Sequence, residues 1–96
     1  MVDLREYYTK TGLGVCLISN EDIVSHLIPQ EDLNKILEIK NLLREIPDID
    51  AGVFELDDKR YFAIRLDDKF LVSPIHTENF GEVYNRVKKF LEEIKE

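Results

Sequence analysis

Apolar positions change their period several times along the chain, and each change marks an element. Leu4, Tyr7 and Tyr8 recur at helical spacing near the start, which predicts a short helix or a single turn from Val2 to Tyr8. Thr11-Gly12-Leu13-Gly14 interrupts it, because glycine inside a helix costs about 1 kcal/mol relative to alanine. Leu13 to Ile18 is then apolar without alternation, the pattern of a strand covered on both faces, although periodicity alone leaves a buried helical turn open. Polar Ser19-Asn20-Glu21-Asp22 predicts a turn, and Ile23 to Ile28 the returning strand of a hairpin.

Pro29 ends that strand, since it has no N–H to offer a ladder. From Glu31 to Ile46 the apolar residues Leu33, Ile36, Leu37, Ile39, Leu42, Leu43 and Ile46 follow a helical period, and Pro47 stops it. After the connector Asp48 to Gly52, three strands are predicted at Val53–Leu56, Arg60–Leu66 and Phe70–Ile75. In the middle one Phe62, Ile64 and Leu66 share a face, and Tyr61, Ala63 and Arg65 the other. Leu-Asp-Asp-Lys occurs at Leu56–Lys59 and again at Leu66–Lys69, each time leaving a strand, which is repeated turn chemistry and not a duplicated unit. Thr77 or Asn79 is the expected cap of a last helix, with Glu82 at capping-box spacing from Asn79. The expected architecture is an α+β domain of the α/β class: a five-stranded, mostly antiparallel sheet with the Glu31–Ile46 helix on one face and the C-terminal helix on the other.

Ninety-six residues make one domain, residues 1–96, with a single modest core. The net charge of −7 argues against phosphate-backbone binding, which needs a basic face, and nucleic-acid partners are not expected. Lone Cys16 forms no internal disulfide. No apolar run approaches a membrane span, so no membrane insertion is expected, and the opening Met1-Val2-Asp3-Leu4-Arg5-Glu6 does not read as a signal peptide. A cytoplasmic protein is the expectation.

Candidate chemistry is sparse. Asp57, Asp58, Asp67 and Asp68 suit a hard cation by type, but the two turns sit at opposite ends of one strand, roughly 30 Å apart, so solvated turns are expected. His26 and His76 end predicted strands with no third ligand at a recognisable spacing. Cys16 reads as a buried, inert thiol, and Ser19, Ser25 and Ser73 lack a nucleophile elbow. Gly12-Leu13-Gly14 precedes a strand, so it is no phosphate loop. No catalytic residue, metal or cofactor is expected, and the protein is read as a non-enzyme.

The two long helices differ in width. At 100° per residue the C-terminal stripe of Phe80, Val83, Tyr84, Val87, Phe90, Leu91 and Ile94 fits within about 120°. On the central helix the apolar residues spread over roughly 220°. Ile36, Ile39, Leu42, Leu43 and Ile46 would cover the sheet, whereas Leu33 and Leu37 fall to one side beside Lys40 and Arg44. Connecting loops could bury that surplus; the alternative is a protein–protein interface.

Taken in order, these elements resemble the Roadblock family of small domains (dynein-light-chain roadblock-like) and, more distantly, the longin domains, both of profilin-like architecture. Gly14-Val15-Cys16-Leu17-Ile18-Ser19 followed by Ile23-Val24-Ser25 is similar to the family's opening hairpin, and Asn79-Phe80-Gly81 to its entry into the last helix. The resemblance implies a non-enzymatic homodimeric platform that binds or regulates Ras-like small GTPases. By position it implies a subunit contact of Leu33, Leu37, Lys40 and Arg44 on the central helix with Val53 and Glu55 on the next strand. Two other classes stay open: a small-molecule sensor with a pocket between sheet and helix, and a subunit or assembly factor of a larger complex without a GTPase.

Overall fold

Three helices and five strands alternate as the hydrophobic pattern requires in the computed structural model, which describes residues 3–19, 23–28, 30–45, 50–66, 69–76 and 78–94. They are α1 (Leu4–Thr11), β1 (Val15–Ile18), β2 (Ile23–Leu27), α2 (Gln30–Glu45), β3 (Ala51–Leu56), β4 (Lys59–Leu66), β5 (Lys69–Ile75) and α3 (Phe80–Ile94). All strand pairs are antiparallel, in the order β2-β1-β5-β4-β3, so β2 and β3 form the two edges.

The first helix is a complete one and longer than its apolar spacing implies. The Asp3 carboxylate accepts from the N–H groups of Arg5 and Glu6, and the chain leaves at Gly12, whose φ of 75° suits glycine. The break therefore comes later than expected: Thr11 is still helical, and the chain turns only at Gly12, whose N–H closes on the Tyr8 carbonyl. Gly14 then lets two strands close up. A Cβ there would stand 3.0 Å from Ile28 Cγ2 and 3.1 Å from the Leu27 carbonyl oxygen.

Both faces of the sheet are covered, which is why β1 is apolar at every position. Val15 and Leu17 enter one core with Leu4, Tyr7, Phe62, Ile64, Leu71, Val83, Val87 and Phe90 under α1 and α3. Cys16 and Ile18 enter the other with Ile36, Ile39, Leu43, Tyr61, Ala63 and Val72 under α2. The two long helices therefore lie on opposite faces, and β4 divides its residues between them as its alternation implies.

Within the helices some expected contacts shift. Leu42 does not cover the sheet: it is 38% exposed, because it lies about 90° round from the Ile36–Ile39–Leu43 stripe that does. Leu33 is not left outside, since it packs against the α2-face core beside Ile28, Phe54 and Leu56. Ile46 lies outside the described residues. On α3, Phe80 is 40% exposed on the rim, its ring stacked on Tyr84 and tilted against Phe62. Asn79 is the cap, its side-chain oxygen accepting from the Glu82 N–H at 2.8 Å; the Glu82 carboxylate is taken by Arg86. Thr77 and the Ile94 side chain lie outside the described residues.

Candidate functional site

The third strand offers an open edge, and its backbone geometry says which residues present it. The Arg65 N–H donates to the Asp50 carbonyl at 2.7 Å, which makes Asp50 and Arg65 a hydrogen-bonded pair. Such pairs alternate along an antiparallel ladder, so Gly52, Phe54 and Leu56 also turn their backbone groups toward β4. Ala51, Val53 and Glu55 turn theirs outward, where no described strand meets them. Val53 and Glu55 were the strand positions expected at a subunit contact, and their main chains face the open edge.

Side chains tell a different story. Val53 packs against the core under α1 and α3, and Glu55 shares that side by alternation. Leu33, Leu37 and Lys40 lie on α2, across the sheet from them. The strand residues on the α2 face are Phe54 and Leu56, both packed against its core. Counting alternation from Tyr61, which pairs with Phe54, was the signal that could have found them. Of the six expected residues, Leu37 and Glu55 are exposed, while Leu33, Lys40 and Val53 are half-buried. Arg44 belongs to α2, but its side chain lies outside the described residues. Leu37 at 40% and Leu42 at 38% are the large apolar side chains that α2 exposes among the described residues, on opposite flanks of the helix.

Electrostatic ties hold this end of the molecule together. Lys35 of α2 pairs with Asp57 in the β3–β4 turn, which raises the lysine above its ordinary pKa and lowers the carboxyl below its own. Asp32, also on α2, accepts from the Tyr61 hydroxyl at 3.2 Å and from Lys59 Nζ at 3.4 Å. Both contacts fix the N-terminal half of α2 against the hairpin that ends at the open edge.

Residues weighed for chemistry are scattered. Cys16 is fully buried, and burial pushes its thiol up to about 12. Ser73 is buried in β5 and bonded to the Tyr7 hydroxyl at 2.6 Å. His26 and His76 are both exposed, one on β2 and one just past β5. The His76 N–H donates to the Glu78 carboxylate at 2.7 Å, which holds that carboxyl below its usual range. Asp57 and Asp58 form the β3–β4 turn, and Asp67 and Asp68 lie outside the described residues. Among the described residues, no three His, Cys, Asp or Glu side chains gather where they could hold a metal ion. No described helix is long and apolar enough to cross a membrane.

No family model matches this chain. It is 28% identical over 87 residues to an uncharacterized protein of Archaeoglobus fulgidus, an alignment covering 88% of this chain and 89% of that protein.

Proposed function

We propose that this chain is a non-enzymatic scaffold of the cytoplasm that assembles as a homodimer and binds or regulates a Ras-like small GTPase. The observation that carries the dimer is the row of outward backbone groups at Ala51, Val53 and Glu55, on an edge strand next in sequence to a helix with exposed leucines. An unpaired edge of this kind is a template for another strand. Its defence is thin: Glu55 is the single charged residue within Ala51–Leu56. A two-fold contact there pairs β3 with its mate and brings the same helix surface to itself. Apolar burial provides most of the affinity, since rim ion pairs contribute at most about 1 kcal/mol each. The GTPase rests on the likeness of element order to the Roadblock and longin domains, which the strand order β2-β1-β5-β4-β3 with helices on both faces suits.

Light scattering on the parent and on Leu37→Glu tests the assembly. The parent should have twice the chain mass, and the variant should revert to the monomer with an unchanged circular dichroism spectrum, because Leu37 is 40% exposed. A parent that stays monomeric at high micromolar concentration sinks the dimer. For the partner, a Ras-like GTPase of the source organism, loaded with GDP or with a non-hydrolysable GTP analogue, is titrated against the parent by calorimetry. Heat with one nucleotide state and not the other supports the reading, and none with either state removes the GTPase from it.

A further inference from the structure

The sheet has a second open edge at β2, and beside it runs a groove that the dimer does not use. A cavity of about 720 Å³ is lined by Arg5, Tyr8 and Thr9 of α1 and by His26, Leu27 and Ile28 at the end of β2. Strand register places its lining on both faces. His26 stands opposite Cys16, and Leu27 opposite Val15. Cys16 and Val15 belong to the cores on opposite faces, so the side chains of His26 and Leu27 also point to opposite faces. The lining takes in the last two residues of β2 and Ile28 beyond it, so the cavity sits at the C-terminal end of the strand, where β2 has β1 on one side and no described strand on the other.

The lining has a chemistry of its own. Tyr8 at 55% and Leu27 at 39% are exposed large side chains, and they give the groove an apolar wall. Arg5 is its cationic group, His26 adds an imidazole hydrogen-bonding group, and no described carboxylate lines it, in a chain whose net charge is −7. Among the described residues neither the Arg5 guanidinium nor the His26 imidazole has a side-chain partner. We propose that this groove receives an extended acidic segment of a partner protein, added to β2 as a sixth strand beneath α1. Main-chain hydrogen bonds to the strand edge give such a contact its affinity, and alternate side chains give it selectivity. Apolar side chains of the segment rest on Tyr8 and Leu27, and its carboxylates meet Arg5 on one face and His26 on the other. Because β2 and β3 border opposite ends of the sheet, this contact does not depend on the dimer.

The probe is a short, fluorescently labelled peptide of repeating Glu-Glu-Val-Val, capped at both ends, which carries both residue types on each face of an extended strand, with a Lys-Lys-Val-Val peptide of equal length as its counterpart. Fluorescence anisotropy should show the acidic peptide binding the parent at least roughly tenfold more tightly than the basic one, as complementary charge at an interface requires. Arg5→Glu should erase or reverse that preference; Tyr8→Ser should weaken binding of the acidic peptide by a similar factor. Both residues are exposed, so circular dichroism should stay at the parent spectrum. In hydrogen exchange the amides of 23–28 should gain protection with the peptide. Equal binding of the two peptides, or protection confined to other elements, overturns the proposal. So does full displacement of the peptide by millimolar glutarate, which would make the groove a site for small dicarboxylates.

Discussion

Single residues set the local strain and the alkaline limit of this domain. Asp57 and Asp58 both have positive φ, 50° and 65°, and the two-residue loop between paired Leu56 and Lys59 is thus a type I′ turn. Asn-Gly is the favoured filling of such a turn, and a left-handed aspartate is held there at a cost. Asp58→Gly should therefore stabilise the fold by about 1 kcal/mol, even after the added freedom of glycine in the unfolded chain. For a domain of this size that amounts to a rise of roughly 4–8 °C in thermal midpoint, read by circular dichroism. Asp57 should be left in place, because Lys35 pairs with it. A second consequence concerns pH. Burial pushes the Tyr7 hydroxyl up to about 12 against an ordinary 10, with the Ser73 bond opposing it, and pushes Cys16 up to about 12 against an ordinary 9. Both groups stay protonated in the folded protein while the unfolded chain begins to ionise. Their contribution is complete below about pH 9 and is lost as pH climbs toward 12. Urea titrations across that range should show stability falling. Tyr7→Phe should fall less steeply above pH 10, while starting about 1 kcal/mol lower at neutral pH for want of its bond to buried Ser73. A variant with the parent's slope would remove Tyr7 as a source of the effect.

At the level of elements, what could be read from the pattern was whatever one helix face or one strand parity decides. The α3 stripe was plain because Val83, Val87, Phe90 and Leu91 fall on a single face and are buried there. The two covered faces of the sheet followed from Val15–Ile18, since a one-sided sheet has no use for four consecutive apolar residues. The central helix was harder. Leu37 and Leu42 are about 140° apart around α2, so no single apolar face could have held both, and nothing local tells which of them the sheet reaches. The structure leaves both exposed. Likewise, the open edge at β3 depended on strand order, which arises from pairing between residues far apart in sequence. The polar tie between α2 and the β3–β4 hairpin was also hidden, because Asp32 and Tyr61 are 29 positions apart and neither stands in a motif. Its effect is open to measurement. Asp32→Ala removes an acceptor shared by Tyr61 and Lys59, and it should lower stability by about 1 kcal/mol. Hydrogen exchange should show the N-terminal turns of α2 opening sooner, with β1 and β5 unchanged; uniform loss of protection across the sheet would count against a local latch.

For the molecule as a whole, the decisive matter is which of its surfaces are complete without a partner. Two edge strands bound the sheet, and at β3 the ladder alternates between residues that bond to β4 and residues that face outward. Proline can separate these two sets, because it deletes one N–H and leaves the strand otherwise extended. At Glu55 the deleted N–H points away from β4, the side chain is exposed, and none of the β3–β4 ladder is lost. At Phe54 it points toward β4, opposite Tyr61, and the ring packs against the α2-face core. Glu55→Pro should therefore abolish self-association while the thermal midpoint of the monomer stays near that of Leu37→Glu. Phe54→Pro should instead destabilise the monomer itself by several kcal/mol, about 3 or more for a lost ladder bond and a displaced core residue. Light scattering and thermal unfolding on the two variants give the answer together. If Glu55→Pro remains dimeric, the copies do not meet through β3, and the helix surface around Leu37 must carry the contact alone. If both variants unfold alike, the outward set at Ala51, Val53 and Glu55 is not free, and the edge is closed by something within the chain.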